Sequence, residues 1–484
     1  MALPLHISRP VTALMLGMVA LTILVFDVRA AEPDATEPDS NAPAAEPCET
    51  GVAPLRFDDD VACFRDPANW QGFPASFKFL PLDDNGDAWL SLGGEVRQRY
   101  EHTHNPAFGA DRQDTRGVWM QRLTLHGDLH LGPHFLVFGQ AYHALEAGRA
   151  GGPSPVDENR FEFQNAFVEF STGPGDLSAT ARLGRQEIRF GSQRLVGVRE
   201  GPNNRRNFDA ARIALSLPGW QVDGVIGRPV VPAPGVLDDQ TSDRQWLWGA
   251  YATATDLLPI GALDLYYLGF HDDAGRFVQG TDEEERHSLG ARHFGADGPW
   301  DWNVEGVYQF GSFGSGDIRA WTLASDAGVT LDLPWQPRLG LSLNVASGDD
   351  DPTDGDLGTF NPLFPRGNYF SEAAVLGPRN FFNVEPTLEF SPAPGWTVGT
   401  IANFFWRMKT SDGVYTPSGQ ILRAPGGSSE RYVGTGLSLS SSYDIAANLT
   451  VTGIYTRLFA GEFLRDTGPA EDIDFFEATL QYKF

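Results

Sequence analysis

The chain has 484 residues, a formal net charge of −27 and only 2 cysteines, with 54 glycines, 34 prolines and 33 phenylalanines. Such acidity excludes general nucleic-acid binding, which needs a basic face. No apolar run beyond the amino terminus reaches the ~18 residues of a membrane helix, so any membrane crossing falls to strands.

Residues 1–31 read as a signal peptide. His6 and Arg9 precede an apolar segment from Val11 to Phe26, and Val28 and Ala30 stand before a cut after Ala30 or Ala31. A retained anchor is the alternative, and the shortness of the apolar segment argues against it. The protein therefore leaves the cytoplasm, and Cys48 and Cys63 are expected to form a disulfide in an oxidising compartment. Residues 32–47 are rich in Pro, Ala and acid and read as a flexible leader. Residues 48–88, with Trp70, Phe73, Phe77 and Phe79, are expected to be a periplasmic segment or a plug.

From residue 89 to 484 the pattern is strand after strand. Leu90, Leu92, Gly94 and Val96 alternate with Ser91, Gly93, Glu95 and Arg97, and Leu339, Leu341, Leu343 and Val345 alternate with Arg338, Gly340, Ser342 and Asn344. Period-2 alternation gives each strand one apolar and one polar face. The stretches 135–144, 245–254 and 262–270 are ambiguous in phase. The chain ends on one more alternating strand, FEATLQYKF, with Phe484 last. The count is roughly 18 strands of about 9–13 residues, the length a tilted membrane strand needs. Connections alternate between short (131–134, 172–177, 218–219, 296–299, 334–337, 391–395) and long (about 101–117, 145–160, 187–208, 228–244, 271–286, 348–379, 408–430, 459–472), with 312–317 the one short member on the long side. Short turns on one rim and long loops on the other describe an all-β, transmembrane antiparallel β-barrel of about 18 strands. Two sandwich domains are the rival, and they give no reason for loop lengths to segregate.

If the apolar faces meet lipid, the polar faces line a lumen. Parity then points Arg97, Arg99, Arg122, Arg182, Arg212, Arg292, Arg338 and Arg407 inward, together with carboxylates such as Glu95, Glu169, Asp301, Glu305 and Glu385. The loop after the fifth strand adds Arg185, Arg189, Arg194, Arg199, Arg205 and Arg206, the densest basic stretch in the chain. Guanidinium groups grip carboxylates bidentately, and rings of Arg pass anions; the plainer role is to neutralise the lumen carboxylates and brace the wall. The loop GDDDPTDGD offers Asp349, Asp350, Asp351, Asp354 and Asp356 as candidate ligands for Ca²⁺, without the spacing of a known calcium loop. His126, Asp128 and His130 share one strand face too widely spaced for one metal, and read as lumen hydrogen-bonding groups.

The stretches LSLGGEVRQRYE (90–101), GRQEIRFGSQRLVGVREGPNNRRNFD (184–209) and GTFNPLFPRGNYF (358–370) resemble those of the alginate-export family of outer-membrane barrels. The resemblance runs from about Phe79 to Phe484. It implies a barrel in the bacterial outer membrane with an arginine-lined pore for a uronate polysaccharide. The Gly-Arg-Gln of 184–186 and the Phe-Trp-Arg ending at Arg407 are similar to the founding exporter, which implies pore-lining roles for Arg185 and Arg407. Strict alternation turns Arg185 outward, so a lumen position needs the strand to end or bulge near Gly184. The expected function is transport of anionic polysaccharide or its oligomers without catalysis. The alternatives are a general anion-preferring porin or uptake channel, a barrel hydrolase, and a plugged structural or adhesive barrel. Expected partners are anionic carbohydrate, outer-membrane lipid and lipopolysaccharide, and the barrel-assembly machinery, with no nucleic acid. The expected state is a monomer.

Overall fold

Alternation from residue 89 onward leaves each strand with one face for hydrocarbon and one for water. In the computed structural model the strands solve this by closing on themselves. The structure describes residues 52–484 apart from 71, 115, 174 and 176. The expected signal peptide, the leader and Cys48 lie outside the described residues; Cys63 is disulfide-bonded.

The main sheet holds 20 strands, two of them the two-residue pieces Leu80–Pro81 and Gln240–Thr241, which leaves 18 in the ring. They are β1 (Ala88–His104), β2 (Val118–Leu131), β3 (Phe135–Ala147), β4 (Asn159–Ser171), β5 (Ser178–Gln186), β6 (Phe208–Leu217), β7 (Trp220–Val231), β8 (Gln245–Ala254) and β9 (Ala262–Phe277), then β10 (Gly280–Asp297), β11 (Trp300–Phe313), β12 (Gly316–Thr330), β13 (Arg338–Ala346), β14 (Phe381–Ala393), β15 (Trp396–Arg407), β16 (Tyr432–Ala446), β17 (Leu449–Ala460) and β18 (Ile473–Lys483). Each pairs antiparallel with the next. β18 returns to β1 in a register running from Glu95↔Lys483 to His104↔Asp474. Closure removes both edges, so the wall leaves no unpaired strand to the lipid.

The outward face is apolar, with Leu183 63 % and Leu125 59 % exposed. Aromatic side chains ring it at two levels: Trp300, Trp335, Trp396 and Tyr443 near the short-turn rim, and Trp119, Tyr308, Trp321 and Phe476 toward the long loops. Such girdles mark the two membrane–water boundaries of an outer-membrane barrel.

The expected long connection at 271–286 is instead a tight hairpin. β9 and β10 pair as far as Phe277↔Gly280, with a register shift between Asp272 and Gly275. The polarity of HDDAGRF and TDEEERH looks like loop because this hairpin projects past the aromatic girdle, where neither face meets lipid. The connection at 314–315 is short, as its sequence suggests.

Two long connections fold into the barrel, 187–207 after β5 and 347–380 after β13. They are paired to each other through a parallel bridge between Val196 and Phe364, with Phe364 N donating to Leu195 O at 2.8 Å and Gly197 N to Phe364 O at 2.8 Å. Their apolar residues, including Ile188, Phe190, Leu195, Phe360 and Phe370, build a core inside the long-loop half of the lumen with wall residues Phe208, Phe381 and Phe405. At the opposite mouth, Val61, Phe64 and Phe79 pack with Trp89 of β1. This small cluster docks the amino-terminal segment on the wall.

Candidate functional site: the lumen and its arginines

β5 ends at Gln186, too short to reach the long-loop rim, and the chain turns inward there. Glu187 N donates to Asn165 Oδ1 at 2.8 Å and starts the inward path. Three wall arginines then seize the loop at residues 200–202. Arg97 donates to the carbonyls of Glu200 (2.9 Å), Gly201 (3.1 Å) and Pro202 (3.1 Å). Arg122 bridges Glu95 at 2.7 Å and the Glu200 carboxylate. Arg99 donates to Gly201 O at 2.7 Å and pairs with Glu477 at 2.7 Å and with Glu101. Burial alone would raise the Glu200 carboxyl, but Arg122, Arg205 and Arg97 overcome it and hold that group well below the usual carboxylate range.

All three therefore face inward, yet they lie beneath the loop. Arg97 is 3 % and Arg122 1 % exposed, which corrects the expectation that they line an open pore. Their terminal nitrogens are taken by loop carbonyls and carboxylates, so they brace the inward loop.

Arg407 is corrected in the same way. It faces inward and is 1 % exposed, with its guanidinium spent on carbonyls of the connection 408–431: Thr410 (2.9 Å), Asp412 (3.0 Å), Ser428 (2.9 Å) and Glu430 (3.1 Å). The ring of Phe463 lies 3.7 Å beneath it.

Arg185 lies at the end of β5 on its outward face, and its guanidinium approaches Glu162 at 3.5 Å. Its register partners are Ala166 on β4 and Asp209 on β6, on the face opposite Phe167, Gly184 and Ala210. It pairs with Asp209 at 2.9 Å on the outward side. Gly184 takes a φ of +133° without shifting the pairing, so alternation decides its direction.

The remaining lumen arginines divide by partner. Arg182 pairs with Glu169 at 2.6 Å, Arg212 with Asp223 at 2.6 Å, and Arg338 with Asp301 and, at 3.0 Å, with Asp326. In the inward loop, Arg205 pairs with Glu187 at 2.8 Å and Glu200 at 3.0 Å. Arg206 donates to Pro365 O at 3.0 Å, and Arg199 to Asn204 O at 3.3 Å. Arg194 pairs with Glu305 at 3.1 Å and also meets the Tyr369 hydroxyl. Arg189 is half-buried.

A polar cavity of about 530 Å³ lies between the two inward loops and the β11–β16 wall, lined by Arg194, Arg366 and Tyr369 from the loops and Asp326, Arg338 and Glu385 from the wall. Arg366 is exposed in it. Among the described residues its side chain has no ion-pair partner, and its guanidinium stands 5.9 Å from the centre of the Tyr369 ring. Backbone pairing fixes its place, since Arg366 N donates to Gln193 O at 3.1 Å. Sequence reasoning missed Arg366: it sits in a loop, where no strand period gives it a direction, and its only signal is its place in the 358–370 stretch.

The aspartates of 348–356 scatter. Asp349 is buried beside Asp412, Asp350 pairs with Lys409, Asp351 accepts from Thr353 N at 3.0 Å, and Asp356 accepts from Asp317 N at 2.9 Å. No group of three acidic, Cys or His side chains converges on one point among the described residues. His126 is buried against Phe138, and His130 meets Asp128 at 3.0 Å and stacks on Trp89.

The fold is shared with solved porins of very different sequence. OccK5 (OpdH) of Pseudomonas aeruginosa matches with a TM-score of 0.53 at 11% identity, over 82% of this chain and 98% of that one. OccK2 (OpdF) of the same organism, solved in complex with glucuronate, matches at 0.54 and 12%, over 84% and 98%. A BenF-like porin from Pseudomonas fluorescens Pf-5 matches at 0.55 and 12%, over 82% and 98%. No curated protein sequence matches the chain significantly. The sequence model for alginate export matches residues 88–476, the whole barrel but for its last strand end. The chain therefore belongs to the alginate-export family of outer-membrane β-barrel channels.

Proposed function

We propose that this channel passes anionic carbohydrate, uronate oligomers or a uronate polysaccharide, through the cavity beside the inward loops. The observation that carries the reading is Arg366. It is a guanidinium exposed in the lumen and in no ion pair among the described residues, beside an aromatic ring and flanked by Arg194 and Arg338. An exposed guanidinium can take a passing carboxylate bidentately and release it, whereas one already paired must first break that pair. Acids on the opposite wall, Asp326 and Glu385, keep the hold on a polyanion weak enough for release, as conduction requires. That one fold relative was solved with glucuronate is in keeping with such a cargo. On this reading the protein works as a monomer in the outer membrane and carries out no catalysis. Lipid and lipopolysaccharide surround it, and the barrel-assembly machinery inserts it.

The test is planar-bilayer conductance of the full chain with oligouronate added, against a neutral oligosaccharide of equal length. Oligouronate blocks the wild type at lower concentration than the neutral sugar. Arg366→Gln raises its half-block concentration about fivefold to tenfold, the loss of one charge-assisted hydrogen bond in a wet site. Equal block by both sugars contradicts the reading.

A further inference from the structure

The amino-terminal segment precedes the region matched by the family model, which begins at residue 88. Yet part of it stands inside the barrel. Arg56, buried, is its hinge: its guanidinium donates to Gly94 O and to Phe484 O, both at 2.9 Å, and pairs with Asp59 at 2.9 Å. From that point the chain turns into the lumen. The Phe57 ring meets Phe138 at 5.7 Å and Phe167 at 5.3 Å, both edge-on, with the Arg182 guanidinium 4.2 Å above it. Asp58, next in the chain, is exposed; desolvation raises its carboxyl, and Arg182, Arg212 and Arg189 oppose that rise. Pro54 O accepts from Arg205 of the inward loop at 2.9 Å.

The wall beneath Phe57 is complete without it. Phe138 and Phe167 stack on one another at 5.3 Å, and Arg182 covers Phe167 at 4.4 Å. Two Arg182 nitrogens hold Glu169, while Nη1 is buried with no hydrogen-bond partner. An orphaned donor on a buried guanidinium is costly unless something visits it. Apolar ring faces beside guanidinium donors suit a sugar ring bearing a carboxylate. The dipeptide in place carries those same two features, a six-membered ring and, one residue on, a carboxylate.

We propose that Phe57-Asp58 is a tethered stand-in for a uronate residue. It occupies a second saccharide subsite, formed by Phe138, Phe167 and Arg182, that an incoming oligouronate claims by displacing the segment. The proposal rests on the uronate reading above. A tethered occupant competes by population: one that fills the subsite nine-tenths of the time weakens the apparent affinity of an outside ligand about tenfold.

The experiment measures block of full-length channels by oligouronate in planar bilayers for wild type, Asp58→Asn and Phe57→Ala/Asp58→Asn, with heat-modifiable gel migration as the check on folding. Each variant should lower the half-block concentration, the double variant about tenfold, and leave block by a neutral oligosaccharide unchanged. Asp58→Asn alters only an exposed side chain, so it tests the idea even if the double variant misfolds. In parallel, trypsin cleavage at Arg56 or Arg65 of the wild type should speed up when oligouronate is present. Wild-type block that depends on Arg366, with half-block unchanged or raised in both variants, overturns the stand-in and leaves the uronate reading intact. Absence of block in wild type and variants alike removes both.

Discussion

Gly94 and Phe484 exchange both of their backbone hydrogen bonds, Gly94 N to Phe484 O at 2.8 Å and Phe484 N to Gly94 O at 3.0 Å. The last residue of the chain thereby completes the seam between β18 and β1. A Cβ on Gly94 would come 2.4 Å from Thr124 O and 2.6 Å from the Phe484 ring. Gly94→Val should therefore hinder closure, an overpacking cost of about 1–3 kcal/mol or more. The temperature at which the compact gel band converts to the unfolded one should fall. Phe484→Asp should fail to assemble, because it sets a charge at the lipid-facing seam. An unaltered compact band in both variants would contradict this.

Arg407 belongs to the scaffold. Its neutral variant Arg407→Gln would leave several buried carbonyls of the connection 408–431 short of donors, at a cost of about 2–3 kcal/mol. Proteolysis within 408–431 should accelerate, while the reversal potential in a salt gradient stays at the wild-type value. A shifted reversal potential with an intact loop would return Arg407 to the pore.

Asp349 and Asp412 meet where the connection 347–380 packs on 408–431. Asp349 N donates to the Asp412 carboxylate at 3.1 Å, and that carboxylate also accepts from Thr359 (2.6 Å) and Tyr415 (2.7 Å). Burial first, and then the nearby Asp412 charge, push the Asp349 carboxyl up to about 6. The folded contact thus binds a proton that the unfolded loop releases near 3.8. Its contribution is fully present below about pH 4, falls as pH rises toward 6 and is level above that. Amide exchange at 411–415, corrected for its intrinsic pH dependence, should reveal looser packing at pH 7 than at pH 5. Asp349→Asn should reduce the difference, and Asp412, whose carboxyl burial also raises, supplies what remains.

Much of the fold was legible because lipid and water impose period 2 on every strand. That rule held for Arg185: its direction follows from register with Ala166 and Asp209, against the pore position that the family resemblance implies. The rule gave the face of Arg407 but not its role, since alternation says nothing about which loop carbonyls settle over a side chain. It failed for 271–286, where the hairpin outgrows the membrane and loses its apolar face. It had nothing to offer for Arg366 or for Phe57 and Asp58, which lie in segments without a strand period. Their positions come from long-range pairing, Arg366 N to Gln193 O and Arg56 to Phe484 O.

The most direct test of the channel reading is the reversal potential of Arg366→Glu across a salt gradient, measured with Arg407→Gln as the scaffold control. Arg366→Glu should move the reversal potential toward that of cations and abolish block by oligouronate. The shift should shrink at high salt, where charges in a wet lumen are screened within a few Å. A reversal potential unchanged from wild type, in a channel that still folds and conducts, would show that Arg366 does not meet the permeating anion.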